Sequence, residues 1–350
     1  MKYSVIGLMS GTSMDGLDMA WCEFEYQNEK WVFTLKKAVT QSYDPYWEKK
    51  LINARELCEA DLIRLSEQYG EWLASVVQGF ISGNKIKNLD FVASHGHTVH
   101  HRPDEGVTVQ IGNGELMSQR LDAKVIYDFR TQDVLYGGQG APLVPIGDQL
   151  LFHTHESCLN LGGFANISFQ WKGKRIAFDI CPVNIVMNHY AQKLGKKYDK
   201  DGEIAKTGQV LPDLLMQLNE LEYYHIAIPK SLGIEWVEEF MFPLLSASYS
   251  AEDVLRTFVE HIIIQIDRVV MQYKLKTILI TGGGAFNSYL IHSLKEKSLA
   301  DITIPDSEIV DFKEALIFAF LGVLKVRGEV NILKSVTGAN QDHCSGKIAG

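Results

Sequence analysis

Three short stretches of this chain combine small residues, hydroxyls and acids in a way that suits an anion. The first is Gly11-Thr12-Ser13-Met14-Asp15-Gly16-Leu17-Asp18. A turn of small hydroxyl residues surrounds phosphate oxygens with N–H and O–H donors, and either Asp15 or Asp18 is suited to holding Mg²⁺ directly or through water. A plain hairpin needs a tight turn but has no use for two hydroxyls and two acids together. The second stretch, residues 161–166, carries Gly162, Gly163 and Asn166, and the third, 281–287, carries Gly282, Gly283 and Gly284. Either alone is a weak signal, because glycine-rich connections after strands are common. Their order is more telling: one turn follows the first strand, one opens the second half, and one precedes a late helix. That order suits a nucleotide such as ATP. No G-x-x-x-x-G-K-[ST] or G-x-G-x-x-G sequence occurs, so a P-loop or a dinucleotide fingerprint has no support.

Asp179 is the acid best placed for proton chemistry. It follows the apolar run Ile176, Ala177, Phe178 and precedes Pro182, at the carboxyl end of an expected strand, where a general base is well sited. The bland alternative is a cap or turn acid. His95, His97, His100 and His101 invite a metal reading, but Gly96 and Pro103 prevent a helix from aligning the rings, and a polar loop facing the substrate is the better expectation. Asp199-Lys200-Asp201-Gly202-Glu203 lacks calcium-loop spacing and reads as a solvated turn.

These residues need elements to hold them. Residues 3–24 read as strand, tight turn, strand, and residues 44–85 as helical, with Leu51, Leu62, Leu65, Leu73 and Val76 on one face. A strand is expected at 91–94, then a histidine-rich loop. Gly137, Gly138 and Gly140 with Pro142 and Pro145 mark residues 136–145 as the expected junction between domains at 1–135 and 136–350, with the C-terminal segment free to pack back on the first domain. Residues 158–169 read as strand and turn, and 175–180 as a further strand ending in Asp179. Ser250 with Asp253 marks the start of a strongly periodic helix, followed by a buried strand at 277–280 and a last apolar helix at 312–326 that carries Glu314 near its start. Both halves thus open with a strand, a small-residue turn and a strand.

The chain of 350 residues suits about two domains of roughly 100–200 residues. Its net charge of −9 argues against nucleic acid as the main partner, because duplex binding needs a basic surface. The five cysteines are scattered with no C-x-x-C pair, as expected of reduced thiols in the cytoplasm. No apolar run approaches the roughly 20 residues that span a bilayer, so no membrane association is expected. A homodimer stays open.

In order along the chain, the Gly11–Asp18 turn, Ser94-His95-Gly96 with Thr98, Asp128-Phe129-Arg130, the run 137–145, Asn160-Leu161-Gly162-Gly163-Phe164-Ala165-Asn166, residues 281–287, Glu314-Ala315 and Thr337-Gly338-Ala339 resemble the anhydro-N-acetylmuramic acid kinases. The resemblance implies a two-domain α/β fold of the actin/hexokinase (ribonuclease-H-like) kind with a cleft between the domains. It also implies a reaction of cell-wall recycling: opening of 1,6-anhydro-N-acetylmuramic acid with water and transfer of the ATP γ-phosphoryl, with Mg²⁺, to its 6-oxygen. By the same resemblance Asp179 is the base that activates the water, and Gly11 to Asp18 hold ATP phosphates together with the turns at Gly162, Gly163, Asn166 and Gly282–Gly284. Thr98, Arg130, Asn184 and Glu314 would contact the sugar. The family's Thr-Gly-Pro-Gly-Asn after the base is here Ile180-Cys181-Pro182-Val183-Asn184, its usual Gln is His97, and its usual Arg is His100. Those departures bear on the shape of the sugar pocket. Competing readings are a kinase for a related amino sugar, a non-catalytic sugar- or nucleotide-binding protein of the same fold, and a zinc hydrolase built on the histidines.

Overall fold

A computed structural model of the chain describes residues 1–11, 14, 16–245 and 248–350. Its strands are β1 Lys2–Ser10, β2 Leu17–Gln27, β3 Lys30–Gln41, β4 Phe91–Arg102, β5 Val107–Ile111, β6 Val125–Tyr127, β7 Ser157–Leu161, β8 Phe164–Trp171, β9 Lys174–Pro182, β10 Thr277–Thr281, β11 Asp301–Thr303 and β12 Lys347–Ala349. Two compact units divide the chain: Met1–Leu151 with Phe312–Gly350, and Phe152–Asp311. The glycine-rich stretch 136–145, expected as the junction, therefore belongs to the first unit. There Gly140 N–H donates to the Asp133 carboxylate at 2.7 Å and Gln139 N–H to Thr337 O at 2.8 Å. The tail does return to the first unit, as β12 beside β6.

The first unit's sheet runs β3-β2-β1-β4-β6-β12, with β5 hairpinned onto β4. β1 to β3 form an antiparallel meander, and β4 then pairs parallel with β1 and with β6. In β1, Val5, Ile6, Gly7 and Leu8 are all buried in succession, which is the pattern of a strand covered on both faces. One face packs on helices Pro45–Asn53 and Glu59–Gly83 through Trp47, Leu51, Tyr69, Leu73 and Val77. Helix Ser307–Arg327 approaches β1 and β4 through Ala315, Ala319 and Gly322, three small residues at four- and three-residue spacing on one helix face. A Cβ on Gly7 would lie 1.9 Å from Ala315 O, so strand and helix backbone touch there.

The second unit repeats the plan. Its sheet order is β11-β10-β7-β8-β9, again an antiparallel meander with two parallel strands added beside its first strand. Helix Ala251–Tyr273 begins as its sequence predicts, with Ser250 Oγ accepting from Asp253 N–H at 3.1 Å, and buries Leu255, Phe258, Val259, Ile262 and Ile266.

Three local expectations change. The histidine-rich segment is strand, not loop: β4 continues to Arg102 because His97, Thr98, His100 and His101 pair with β5, while Gly96 takes φ +73° at a kink no simple alternation reveals. Strand β9 runs past Asp179 to Pro182. Asp199 is buried and accepts the N–H groups of Ile204 and Ala205 at 2.8 and 3.0 Å, so that turn is anchored and not simply solvated.

Gly7→Ala is expected to force the helix from the strand, and overpacking of this kind costs about 1–3 kcal/mol or more. Urea unfolding should show a lower midpoint at unchanged slope; a variant as stable as the parent would show that the strand–helix contact relaxes freely.

Candidate active site

In the first unit, the turn between β1 and β2 leaves Ser10, passes Gly11, and returns at Leu17 with Asp18 opposite Met9. Thr12, Ser13 and Asp15 lie outside the described residues. Met14 holds φ +58°, and Gly16 holds φ +152° where a Cβ would lie 2.5 Å from Gln41 O, so the turn is bent through conformations that few side chains tolerate. Asp18 Oδ1 accepts from Thr40 Oγ1 at 2.6 Å.

Behind the turn runs a buried chain of hydroxyls. Tyr69 Oη and Tyr43 Oη lie 2.7 Å apart, Tyr43 Oη and Ser10 Oγ 2.7 Å, and Ser10 Oγ and His97 Nδ1 2.8 Å. Donation by each hydroxyl toward His97 gives all three an acceptor, with His97 Nδ1 as the last. The Nε2–H tautomer of His97 follows. Burial, aided by the Arg55 charge, lowers the His97 pKa to about 4, in keeping with a neutral acceptor.

Arg130 is held just as closely. Its Nε and Nη2 donate to His95 Nε2 at 3.0 and 2.8 Å, and its Nη1 donates to Gly140 O. His95 Nδ1 donates to Gly96 O at 2.9 Å, which leaves Nε2 as the acceptor, and burial and the Arg130 charge hold this ring neutral. Gly140 is fixed in turn by Asp133, whose carboxylate occupies the space a Cβ on Gly138 would need. Thr98, on β4, receives Gln110 Nε2 at 3.5 Å. Glu314 lies on the helix that touches β1. Crowding by protein raises its pKa, Lys313 and Arg130 oppose the rise, and Asp18 and Asp148 add to it; its exposure to water tempers the effect. Arg130, Asp18 and Glu314 thus belong to one electrostatic neighbourhood.

In the second unit, the β7–β8 turn, the start of helix Asn184–Lys193 and the loop after β10 meet. Val183 N–H donates to Gly163 O at 2.8 Å, Asn184 N–H to Gly162 O at 3.2 Å, and Asn184 Nδ2 to Leu161 O at 3.1 Å. Gly282 takes φ +83°, with a Cβ position 2.4 Å from Asn160 Oδ1, and a Cβ on Gly284 would lie 2.7 Å from Leu161 Cβ. Packing explains both. Gly283 differs: its nearest neighbour, Asn184 Nδ2, is 3.6 Å from a Cβ position, and Gly163 has nothing within 4 Å. Backbone open to an incoming group at these two glycines is what a nucleotide lying against the loop requires. Asn184, expected at the sugar, is here a member of the glycine-loop cluster.

Asn166 pairs with Asp179 across β8 and β9, and the register slips by one residue between Asn166 and Ala165, leaving Ile180 as a bulge beside Asp179. Asp179 Oδ2 accepts from Leu232 N–H at 2.9 Å, its N–H donates to Lys230 O at 3.2 Å, and its carbonyl accepts from Tyr223 Oη at 2.7 Å. Burial raises the carboxyl pKa and the Leu232 amide partly offsets it. Cys181 and Val183 are fully buried in the second unit's apolar core, so neither replacement presents its side chain at the surface. The clamp of Tyr223, Lys230 and Leu232 is invisible in sequence, lying some fifty residues away. Among the described residues no cluster of three or more His, Cys, Asp or Glu is placed to hold a metal; His95, His97 and His101 are engaged separately, with Arg130, Ser10 and Thr108. No helix among them is long and apolar enough to cross a membrane.

One sheet plan used twice, opening each time on a hairpin whose turn is built of small residues, is the actin/hexokinase architecture of two-domain sugar kinases. Within it, the chain belongs to the anhydro-N-acetylmuramic acid kinase family, whose model matches residues 3–349. Anhydro-N-acetylmuramic acid kinases of Nitrosospira multiformis and Sulfurimonas denitrificans are 34% and 32% identical to it, each alignment covering 98% of both chains. A ROK family glucokinase from Streptomyces griseus, solved with glucose and AMPPNP, aligns with 91% of this chain and 98% of its own at 12% identity and a TM-score of 0.42.

The neutral His97 implies a pH dependence of stability. Its folded pKa, about 4, lies below the unfolded value, so the unfolded chain binds more protons between these limits. The stability it contributes is present above about pH 6.5 and is lost as pH falls toward 4, by up to about 3 kcal/mol. His97→Gln keeps an acceptor for Ser10 without a titrating ring and should flatten the fall over that window in urea titrations. An unchanged slope would mean that His97 is protonated in the folded chain.

Proposed function

We propose that this chain phosphorylates 1,6-anhydro-N-acetylmuramic acid at its 6-oxygen, using ATP, as water opens the anhydro bridge. The observation that carries the mechanism is Asp179: a partly buried carboxylate set beside a bulge, gripped at its backbone and at one oxygen, with the other oxygen left for a proton. In the proposed reaction Asp179 takes a proton from water as that water attacks the anomeric carbon. The bond from that carbon to the bridging oxygen breaks, and the freed 6-oxygen attacks the γ-phosphorus as ADP leaves. Water supplies the new anomeric hydroxyl, and the proton passes from Asp179 to solvent. Raised by burial, the carboxyl accepts a proton more readily than an ordinary aspartate.

Thr98, Arg130 and Glu314 contact the sugar in this reading. Arg130 is suited to it because its hydrogen-bond partner His95 is neutral, so no ion pair with that partner competes for a ligand carboxylate. Gly11, Met14, Gly16 and Leu17 with Thr12, Ser13 and Asp15 cradle the phosphates, and Gly162, Gly163, Asn166, Asn184 and Gly282–Gly284 receive the nucleotide. Mg²⁺ commonly uses one or two carboxylates together with substrate phosphates, and Asp18 and Asp15 are the candidate holders. Such an ion would neutralise charge on the transferring phosphoryl group.

Two experiments test this reading. Asp179→Asn keeps the shape but removes the base, and should lower kcat for bridge opening and phosphorylation together by about 10²–10⁴ while ATP still binds. Phosphosugar formed at the parent rate would remove Asp179 from the mechanism. Gly283→Val should fold like the parent and lose ATP affinity, whereas Gly282→Ala should lose stability through its φ and its contact with Asn160. Calorimetric ATP binding unchanged in a folded Gly283→Val would show that the nucleotide lies elsewhere.

A further inference from the structure

The clamp on Asp179 has a second surface. The segment that supplies Tyr223, Lys230 and Leu232 also lines a cavity of about 370 Å³ in the second unit. Phe178 of β9, Tyr224 and Tyr273 give it aromatic walls, and Lys230, Arg268 and His225 give it basic groups. No aspartate or glutamate is among the described residues that line it. Lys230 is half-buried; its Nζ donates to Tyr223 O at 2.9 Å and stands 4.4 Å from the centre of the Tyr223 ring. Neither Lys230 nor Arg268 has a carboxylate at ion-pair distance among the described residues, and burial lowers the Lys230 pKa, opposed in part by Cys181. A half-buried lysine and an exposed arginine that face one acid-free cavity, neither with a carboxylate partner among the described residues, are matched by an anion.

We propose that this cavity is an effector site for a small phosphate-bearing anion, either free phosphate or a sugar phosphate monoester, whose binding draws Lys230 from the Tyr223 carbonyl and loosens the grip on Asp179. Arg268 pairs with the phosphate, and the rings of Tyr224 and Tyr273 offer faces to a sugar body. The same segment that meets the anion holds Asp179 by its N–H, its carbonyl and one carboxylate oxygen, so a shift there alters the base directly. Binding in the cavity is independent of the reaction assigned above; the coupling rests on Asp179 being its base.

Equilibrium dialysis of the intact chain, saturated with AMPPNP and the anhydro sugar, tests the site with labelled inorganic phosphate and with glucose 6-phosphate. A single equivalent of anion should bind, and Arg268→Gln should abolish it without changing kcat measured in phosphate-free buffer. Lys230→Gln should also abolish binding. Tighter binding of glucose 6-phosphate assigns the site to a monoester, and equal binding to free phosphate. No bound anion, binding seen only when AMPPNP is left out, or binding that survives Arg268→Gln overturns the site. In turnover assays the bound anion should lower kcat several-fold and leave both KM values unchanged. Inhibition relieved by more ATP or sugar, or an unchanged kcat with anion bound, overturns the coupling. Asp179→Asn should still bind the anion. If that variant instead turns over like the parent, the base assignment fails and the coupling with it, while dialysis alone judges the site.

Discussion

The candidate site hangs on places where one backbone meets another with no room for a Cβ. In the first unit that place is Gly7 against Ala315 O, in the second Gly282 and Gly284 against Asn160 and Leu161. Each contact lets a segment from late in its unit lie on the central strand of the sheet. The first brings Glu314 into the electrostatic neighbourhood of Asp18 and Arg130, although almost three hundred residues separate Glu314 from that turn in sequence. The second sets the loop after β10 against the β7–β8 turn and Asn184. Glycine here does not supply flexibility; it supplies closeness, and it leaves Gly163 and Gly283 as the positions whose open space packing does not explain.

Charge at the site is arranged by a few neutral partners. His95 and His97 are both buried and neutral, and they act as acceptors for Arg130 and Ser10 respectively. An acid in either place would form an ion pair and take up charge that a ligand could otherwise use. Asp133 is buried and accepts from Gly140 N–H and Thr337 Oγ1. The result is a guanidinium held by neutral groups, and a carboxylate, that of the proposed base Asp179, held by backbone groups and one tyrosine. Rigid positioning of this kind is what acid–base and phosphoryl-transfer chemistry asks of a protein.

The replacements at Cys181 and Val183 point into the core of the second unit. Glycines there would free the backbone, and side chains in their place were expected to alter the sugar pocket. Both side chains lie in the second unit's core. His97 is a departure of another sort. It ends a hydroxyl chain reaching back to Tyr69 and braces the residue from which the first turn departs.

Much of this was legible in the residues themselves. Alternation and helical period located the opening hairpins, the helix after Ser250 and the buried strand before the late glycines, because local backbone preference and burial there agree. Colinear motifs located the family and its candidate residues. Other features depend on partners distant in sequence. The histidine segment becomes a strand only because β5 folds back on it, and the domain boundary moves to residue 151 because the 136–145 stretch is tied to Asp133 and Thr337. The hydrogen bonds from Tyr223 and Leu232 to Asp179 join segments with no shared periodicity or motif. Sequence determined which residue types could do the chemistry and which elements carry them; tertiary structure alone decided what holds each one still, because those contacts are made by backbone groups and neutral side chains that any sequence contains.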